Sequence, residues 1–167
     1  MKLLFNQKQI DKSVSIIAER ISKDMEGNDT PSVFVGLLNG GFMFFSDLTK
    51  QITHPIECDF LRVKSYSGKK QGDISILKDL ETPIKGKDVY IVDDFYDSGK
   101  TMDTIVEYLE LKKPNSIKVV TLLTRDFSPV PKVQSYFGFL LKDEWVCGYG
   151  MDDSKGYMRN NPNIYEI

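Results

Sequence analysis

The chain has 167 residues, enough for one domain, taken as 1–167, built around one sizeable core. Lys and Arg number 22 against 24 Asp and Glu, a formal charge of −2, so no global basic field argues for bulk nucleic-acid binding. No stretch approaches the roughly 18 apolar residues of a membrane helix, the opening apolar run is too short for a signal peptide, and Cys58 and Cys147 give no disulfide framework, so the expectation is a soluble protein of the reducing cytoplasm with no membrane partner.

Residues 7–25 carry Ile10, Val14, Ile17, Ala18 and Ile21 at helical spacing, which predicts an amphipathic helix ended near Gly27. SVFVGLL (32–38) is a short apolar run between Pro31 and Asn39-Gly40-Gly41, the pattern of a strand buried on both faces. FMFFSDLTKQI (42–52) reads as a helix, and PIECDFLRVKSY (55–66) as a strand followed by the loop SGKKQGD. The lone His54, beside Pro55 in a turn, cannot anchor a zinc site with two separated cysteines. From Arg62 to Lys87, seven basic residues stand against Asp73, Asp79 and Glu81, which suits either a solvated face or a region that meets an anion. DVYIVD (88–93) is again a buried-type strand, TMDTIVEYLELKK (101–113) a helix stopped by Pro114, and SIKVVTLLT (116–124) the next strand. Beyond Pro129 only short strand candidates occur, near 135–141 and 145–149. Strands alternating with helices predict an α/β fold with a doubly wound, mainly parallel sheet and right-handed crossovers.

The segment VDDFYDSGKT (92–101) ends like a nucleoside-triphosphate loop, but Asp94 stands where such a loop needs its first glycine. A carboxylate there repels a polyphosphate. In a doubly wound sheet, ligands gather at the carboxyl ends of strands, and this segment lies where a strand hands over to a helix. Asp97, Ser98, Gly99, Lys100 and Thr101 can therefore cradle one phosphate on helix N-terminal amides, with Gly99 allowing close backbone approach. Asp93 and Asp94, one loop-width away, suit ribose hydroxyls or a magnesium ion held mainly through water. A sugar carrying a 5-phosphate meets both requirements.

VYIVDDFYDSGKT resembles the phosphoribosyl-pyrophosphate signature of the type I phosphoribosyltransferases. LLNGGFMFFSDL, DFLRVKSYSG and WVCGYGMDDSKGYMRN resemble, in the same order, the first active-site loop, the strand leading to the lid and the C-terminal base segment of the hypoxanthine-guanine branch. The resemblance implies a type I phosphoribosyltransferase fold with a small hood from the terminal segments. It also implies phosphoribosyl transfer from phosphoribosyl pyrophosphate to a 6-oxopurine, with Mg2+ as cofactor and a dimer or tetramer as the assembly. Carried over residue by residue, Asp97 is the acid near the purine, Asp93 and Asp94 bind the ribose, and Ser98, Gly99, Lys100 and Thr101 hold the 5-phosphate. Asn39, Gly40 and Arg159 meet pyrophosphate, Ser65 and Tyr66 begin the lid, Arg125, Trp145 and Val146 form the purine site, and Asp152 joins Asp93 and Asp94 around the metal.

Alternatives remain for several of these residues. Asp97 could cap the following helix, Trp145 could fill the core, and Asp152 and Arg159 could be surface charges. The chain departs from the family at Asn39 and Arg125, where members usually carry Lys or Arg and Lys respectively, and at Glu144, where Lys is frequent. An RNA-binding regulator on the same fold and a transferase for another base are the competing functions.

Overall fold

The computed structural model describes residues 1–65 and 73–167. Tyr66 and most of the expected lid, residues 67–72, lie outside the described residues. The chain opens with β1 (Lys2–Phe5), then α1 (Gln7–Met25). The α1 start is fixed by a reciprocal cap. Asn6 Oδ1 accepts from the Gln9 amide at 3.0 Å, and Gln9 Oε1 accepts from the Asn6 amide at 2.9 Å, a motif contributing about 1 kcal/mol. The predicted stripe from Ile10 to Ile21 is buried, and Met25 extends it.

Next come β2 (Ser32–Leu38), α2 (Phe42–Thr49), β3 (Glu57–Ser65), β4 (Ile74–Lys78), β5 (Asp88–Tyr96), α3 (Lys100–Glu110), β6 (Ser116–Arg125), β7 (Ser135–Leu141), β8 (Val146–Cys147) and β9 (Ile164–Glu166). The main sheet has the order β4-β3-β2-β5-β6-β7, with β4 as its antiparallel edge and every other neighbour parallel. Alternate residues of the central strands feed two cores. Phe34, Tyr90, Val92 and Val120 pack with α1 and α2, whereas Val33, Val35, Leu37, Val89, Ile91 and Val119 pack with α3. Helices therefore cover both faces, which confirms the doubly wound architecture. Phe34 and Tyr90 stack at 4.5 Å across β2 and β5, and each large side chain buried there contributes roughly 1.5–3 kcal/mol. No helix among the described residues is long and apolar enough to cross a membrane.

The terminal segments form a second sheet, β1-β9-β8, antiparallel throughout. It is the expected hood, built from strands that periodicity leaves unassigned at β1 and β9. α2 stops at Thr49 rather than running to residue 52, and Thr49 Oγ1 donates back to the Phe45 carbonyl at 2.8 Å. Residues 50–52 instead form turn bonds to Ser46, Leu48 and Thr49. β5 is longer than predicted, because Phe95 and Tyr96 keep pairing with Leu123 and Thr124 of β6.

Candidate active site

The chain passes from β2 to β3 on one side, then returns to place β5 on the other side of β2. That reversal opens a crevice at the carboxyl ends of β2 and β5, the place where such sheets bind ligands. After β2 the peptide Leu38–Asn39 is cis, and the turn Asn39–Gly41 leads into α2. After β5 the chain crosses Asp97 and Ser98 to reach α3.

The β5–α3 turn is shaped around Gly99, whose φ of +79° lies in the left-handed region. A Cβ there would run into the Tyr96 hydroxyl, so the turn rests directly on that buried ring. Gly99 is the N-cap of α3 and no side chain caps the helix, which rules out capping as the task of Asp97. Among the described residues, the amides of Ser98, Gly99 and Thr101 have no protein acceptor, and the Lys100 amide reaches only Ser98 Oγ, at 3.4 Å. Ser98, Gly99 and Thr101 line a cleft of about 110 Å3 together with Asp93, Asp97 and Met102. Ser65, at the end of β3, shares a hydrogen bond of 3.2 Å between its hydroxyl and that of Thr101, so the root of the expected lid meets the first turn of α3.

Asp93 and Asp94 are half-buried at the strand end, and Asp93 Oδ1 accepts from the Asp94 amide at 2.9 Å. Burial, and then the adjoining Asp94 carboxylate, raise the Asp93 pKa well above the usual carboxylate range. Such a pair is relieved by hydroxyl donors or by a cation. Among the described residues no three ligating side chains gather into a metal cage. The donor set fits a magnesium ion carried on one or two carboxylates with water and substrate oxygens, and does not fit an all-protein calcium-type site.

Gly40 lies against this pair, since a Cβ on it would enter the Asp94 carboxylate, and a Cβ on Gly150 would enter the Gly40 carbonyl. The Asn39–Gly41 turn thus touches both the Asp94 side chain and the backbone around residue 150. Arg159 is anchored there. Its Nη1 donates to the Gly150 carbonyl at 2.8 Å and its Nη2 pairs with Asp152 Oδ2 at 2.9 Å. Tyr149 locks the same turn onto α2 by donating to Asp47 Oδ2 at 2.6 Å.

Beside the acids opens a larger pocket of about 410 Å3, lined among others by Asp94, Phe95, Asp97, Arg125, Trp145 and Asp152. Trp145 is 72% exposed, so it walls this pocket instead of filling the core. Arg125 is 6% exposed, with its guanidinium 4.8 Å above the Phe95 ring. Its Nε donates to Asp97 Oδ1 at 3.0 Å, and its Nη1 donates to the carbonyls of Lys142 and Glu144 at 2.9 and 3.1 Å.

Of the expected site residues in the described part, all but Asn39, Gly40, Ser65 and Lys100 line these two cavities; Gly40 abuts Asp94, Ser65 meets Thr101, and Asp93, Asp94 and Asp152 are not gathered into one metal site. Sequence reasoning missed Phe95, Tyr96 and Tyr149. The signal for the first two was the aromatic pair inside DDFYD, which reads as loop until β5 is seen to continue through it.

The family model for the phosphoribosyl transferase domain matches residues 3–154. The chain belongs to the phosphoribosyltransferase family. It is 36% identical to the hypoxanthine-guanine phosphoribosyltransferase of Bacillus subtilis (strain 168), over 98% of this chain and 91% of that protein. Among solved structures, a hypoxanthine phosphoribosyltransferase from Staphylococcus aureus superposes with a TM-score of 0.92 at 35% identity, covering 100% of this chain and 91% of that one. The hypoxanthine phosphoribosyltransferase of Trypanosoma cruzi in complex with the product IMP gives a TM-score of 0.91 at 28% identity, covering 100% and 94%. This phosphoribosyltransferase thus groups with the hypoxanthine-guanine branch, and its fold is that of the type I members.

Proposed function

We propose that the chain salvages purines by moving the 5-phosphoribosyl group of phosphoribosyl pyrophosphate onto a ring nitrogen of a 6-oxopurine, hypoxanthine or guanine and, on this reading, also xanthine. The observation that carries it is the set of amides of Ser98, Gly99 and Thr101, which have no protein acceptor among the described residues, beside the Asp93–Asp94 pair and near a pocket with an aromatic wall. The amides and the Ser98, Thr101 and Lys100 side chains hold the 5-phosphate, and Asp93 and Asp94 accept hydrogen bonds from the ribose hydroxyls. The bond from the anomeric carbon to pyrophosphate oxygen breaks with its electron pair going to pyrophosphate, and a bond to the purine nitrogen forms as that base loses a proton. The turn at Asn39 and Gly40 offers backbone donors to the departing pyrophosphate, and Arg159, held at the adjoining Gly150 carbonyl, adds its charge. Magnesium, carried on one or two of the carboxylates of Asp93, Asp94 and Asp152 together with water, would supply positive charge to that leaving group. Arg125 commits Oδ1 of Asp97, which leaves Oδ2 to face the base and take or share its proton. The purine lies between Trp145 and the main-chain atoms of Val146, with Arg125 Nη2 available to its 6-oxo oxygen.

This reading includes a cytoplasmic location, in keeping with the free cysteines, and a homo-oligomer, supported by the exposed Leu77, Leu111, Val130 and Leu140 and tested by light scattering. The deciding assay mixes purified protein, phosphoribosyl pyrophosphate and magnesium with hypoxanthine, guanine or xanthine in parallel. Formation of at least one monophosphate, abolished by a chelator and restored by magnesium, is expected. No product with any of the three bases refutes the proposal.

A further inference from the structure

The guanidinium of Arg125 touches two parts of the site that are far apart in sequence. Nε holds Asp97 on the β5–α3 turn, while Nη1 holds the carbonyls of Lys142 and Glu144, the two residues flanking Asp143 just before Trp145. The plane is clamped by the Phe95 ring at 4.8 Å and the Phe127 ring at 5.8 Å. The residue's own amide donates to Ser128 Oγ, which donates in turn to the Tyr96 carbonyl, so the base of the side chain is also tied to the end of β5. Three of the five guanidinium N–H groups are thereby used on protein, and only Nη2 lacks an acceptor among the described residues.

We infer that Arg125 is a positioning residue that latches the Asp97 carboxylate to the 142–145 wall of the base pocket, fixing acid and stacking ring relative to one another. This rests on the proposed transferase reading and deepens it, since a residue acting mainly as a donor to the base would keep its N–H groups for the ligand. In this chain, which carries Arg where the family usually has Lys, the latch is a planar fork. Lysine offers three donors at one point and cannot span a carboxylate and two carbonyls at opposite edges of a plane. Arg125→Lys therefore separates a latch from a simple hydrogen-bond donor.

In the latch, Arg125→Lys lowers kcat by about tenfold or more, because a small misplacement of acid against base is costly in rate, and leaves KM for phosphoribosyl pyrophosphate nearly unchanged. It also lowers the fluorescence anisotropy of Trp145, the chain's only tryptophan, because the wall is no longer held. Arg125→Lys with wild-type kcat and wild-type anisotropy overturns the latch. The anisotropy needs no turnover, so it still decides the question if the wild-type protein proves inactive on purines. If the position-125 variants fail to fold, the unmodified protein is used. Slow solvent exchange of the Arg125 Nε–H by NMR, accelerated in Asp97→Ala, supports the latch, and a fast-exchanging Nε–H in the wild type overturns it.

Discussion

Replacing Gly99 by alanine tests the phosphate turn from two independent directions. At a φ of +79° an added Cβ costs about 1–2 kcal/mol of backbone strain. The same Cβ meets the hydroxyl of Tyr96, a ring at 3% exposure that must shift toward one of the two cavities it lines, so overpacking costs a further ~1–3 kcal/mol. The combined loss of roughly 2–5 kcal/mol lowers Tm by about 4–20 °C for a domain of this size. Turnover suffers separately. Displacing one amide from a phosphate oxygen forfeits a charge-assisted hydrogen bond of about 1.5–3 kcal/mol, so KM for phosphoribosyl pyrophosphate rises roughly tenfold to a hundredfold. Pairing Gly99→Ala with Tyr96→Phe removes the hydroxyl oxygen and restores part of the lost Tm, while the strain remains. Calorimetry on the two single variants and the double variant gives the coupling between these positions. A double variant no more stable than the sum of the singles refutes the contact, and an unchanged KM in Gly99→Ala refutes the assignment of these amides to the phosphate.

Asp97→Asn leaves an oxygen to accept from Arg125 Nε, so Tm moves little while kcat falls about a hundredfold, measured under saturating substrates. Gly40→Ala pushes a methyl group into the Asp94 carboxylate and raises KM for phosphoribosyl pyrophosphate by about tenfold or more, read from initial rates. Asp88 is buried, and although desolvation alone raises its pKa, hydrogen bonds from Ser116, Asn115 and Asn28 and the Lys118 charge outweigh it and hold the pKa below the usual value. Its contribution to stability is therefore complete above the unfolded-state value of about 4 and is lost as the pH falls through the lower folded-state value. Asp88→Ala removes the charged acceptor of those three bonds while the exposed Asn28 and Asn115 turn to water, costs about 1.5–3 kcal/mol at neutral pH, and flattens that acid-side loss in urea titrations.

The layout of the sheet was legible because Val33 to Leu37 and Val89 to Val92 are near-continuous apolar runs, which only a strand covered on both faces requires. β1 and β9 were not. Each has only three or four residues, and Lys2 pairs with Glu166 across almost the whole chain, a choice made by tertiary contact and invisible to any local window. Asp93, Asp94 and Asp97 could be read as site acids because three carboxylates beside a turn to a helix have little structural purpose. Arg125 was read only as part of the purine site, and its bonds to residues 142 and 144 could not be read, because those acceptors are main-chain carbonyls and carry no mark in the side-chain alphabet. For Trp145, the difference between packing and presentation lay entirely in its exposure.

The close meeting of Gly150, Gly40 and Asp94 limits how this enzyme could be redesigned. With only hydrogen atoms separating the backbones, a substitution in one loop is felt by the other, so libraries that diversify them separately would discard combinations that work only as pairs. Altered leaving-group preference is best sought by randomising positions 40 and 150 together, with the carboxylate at 94 held constant.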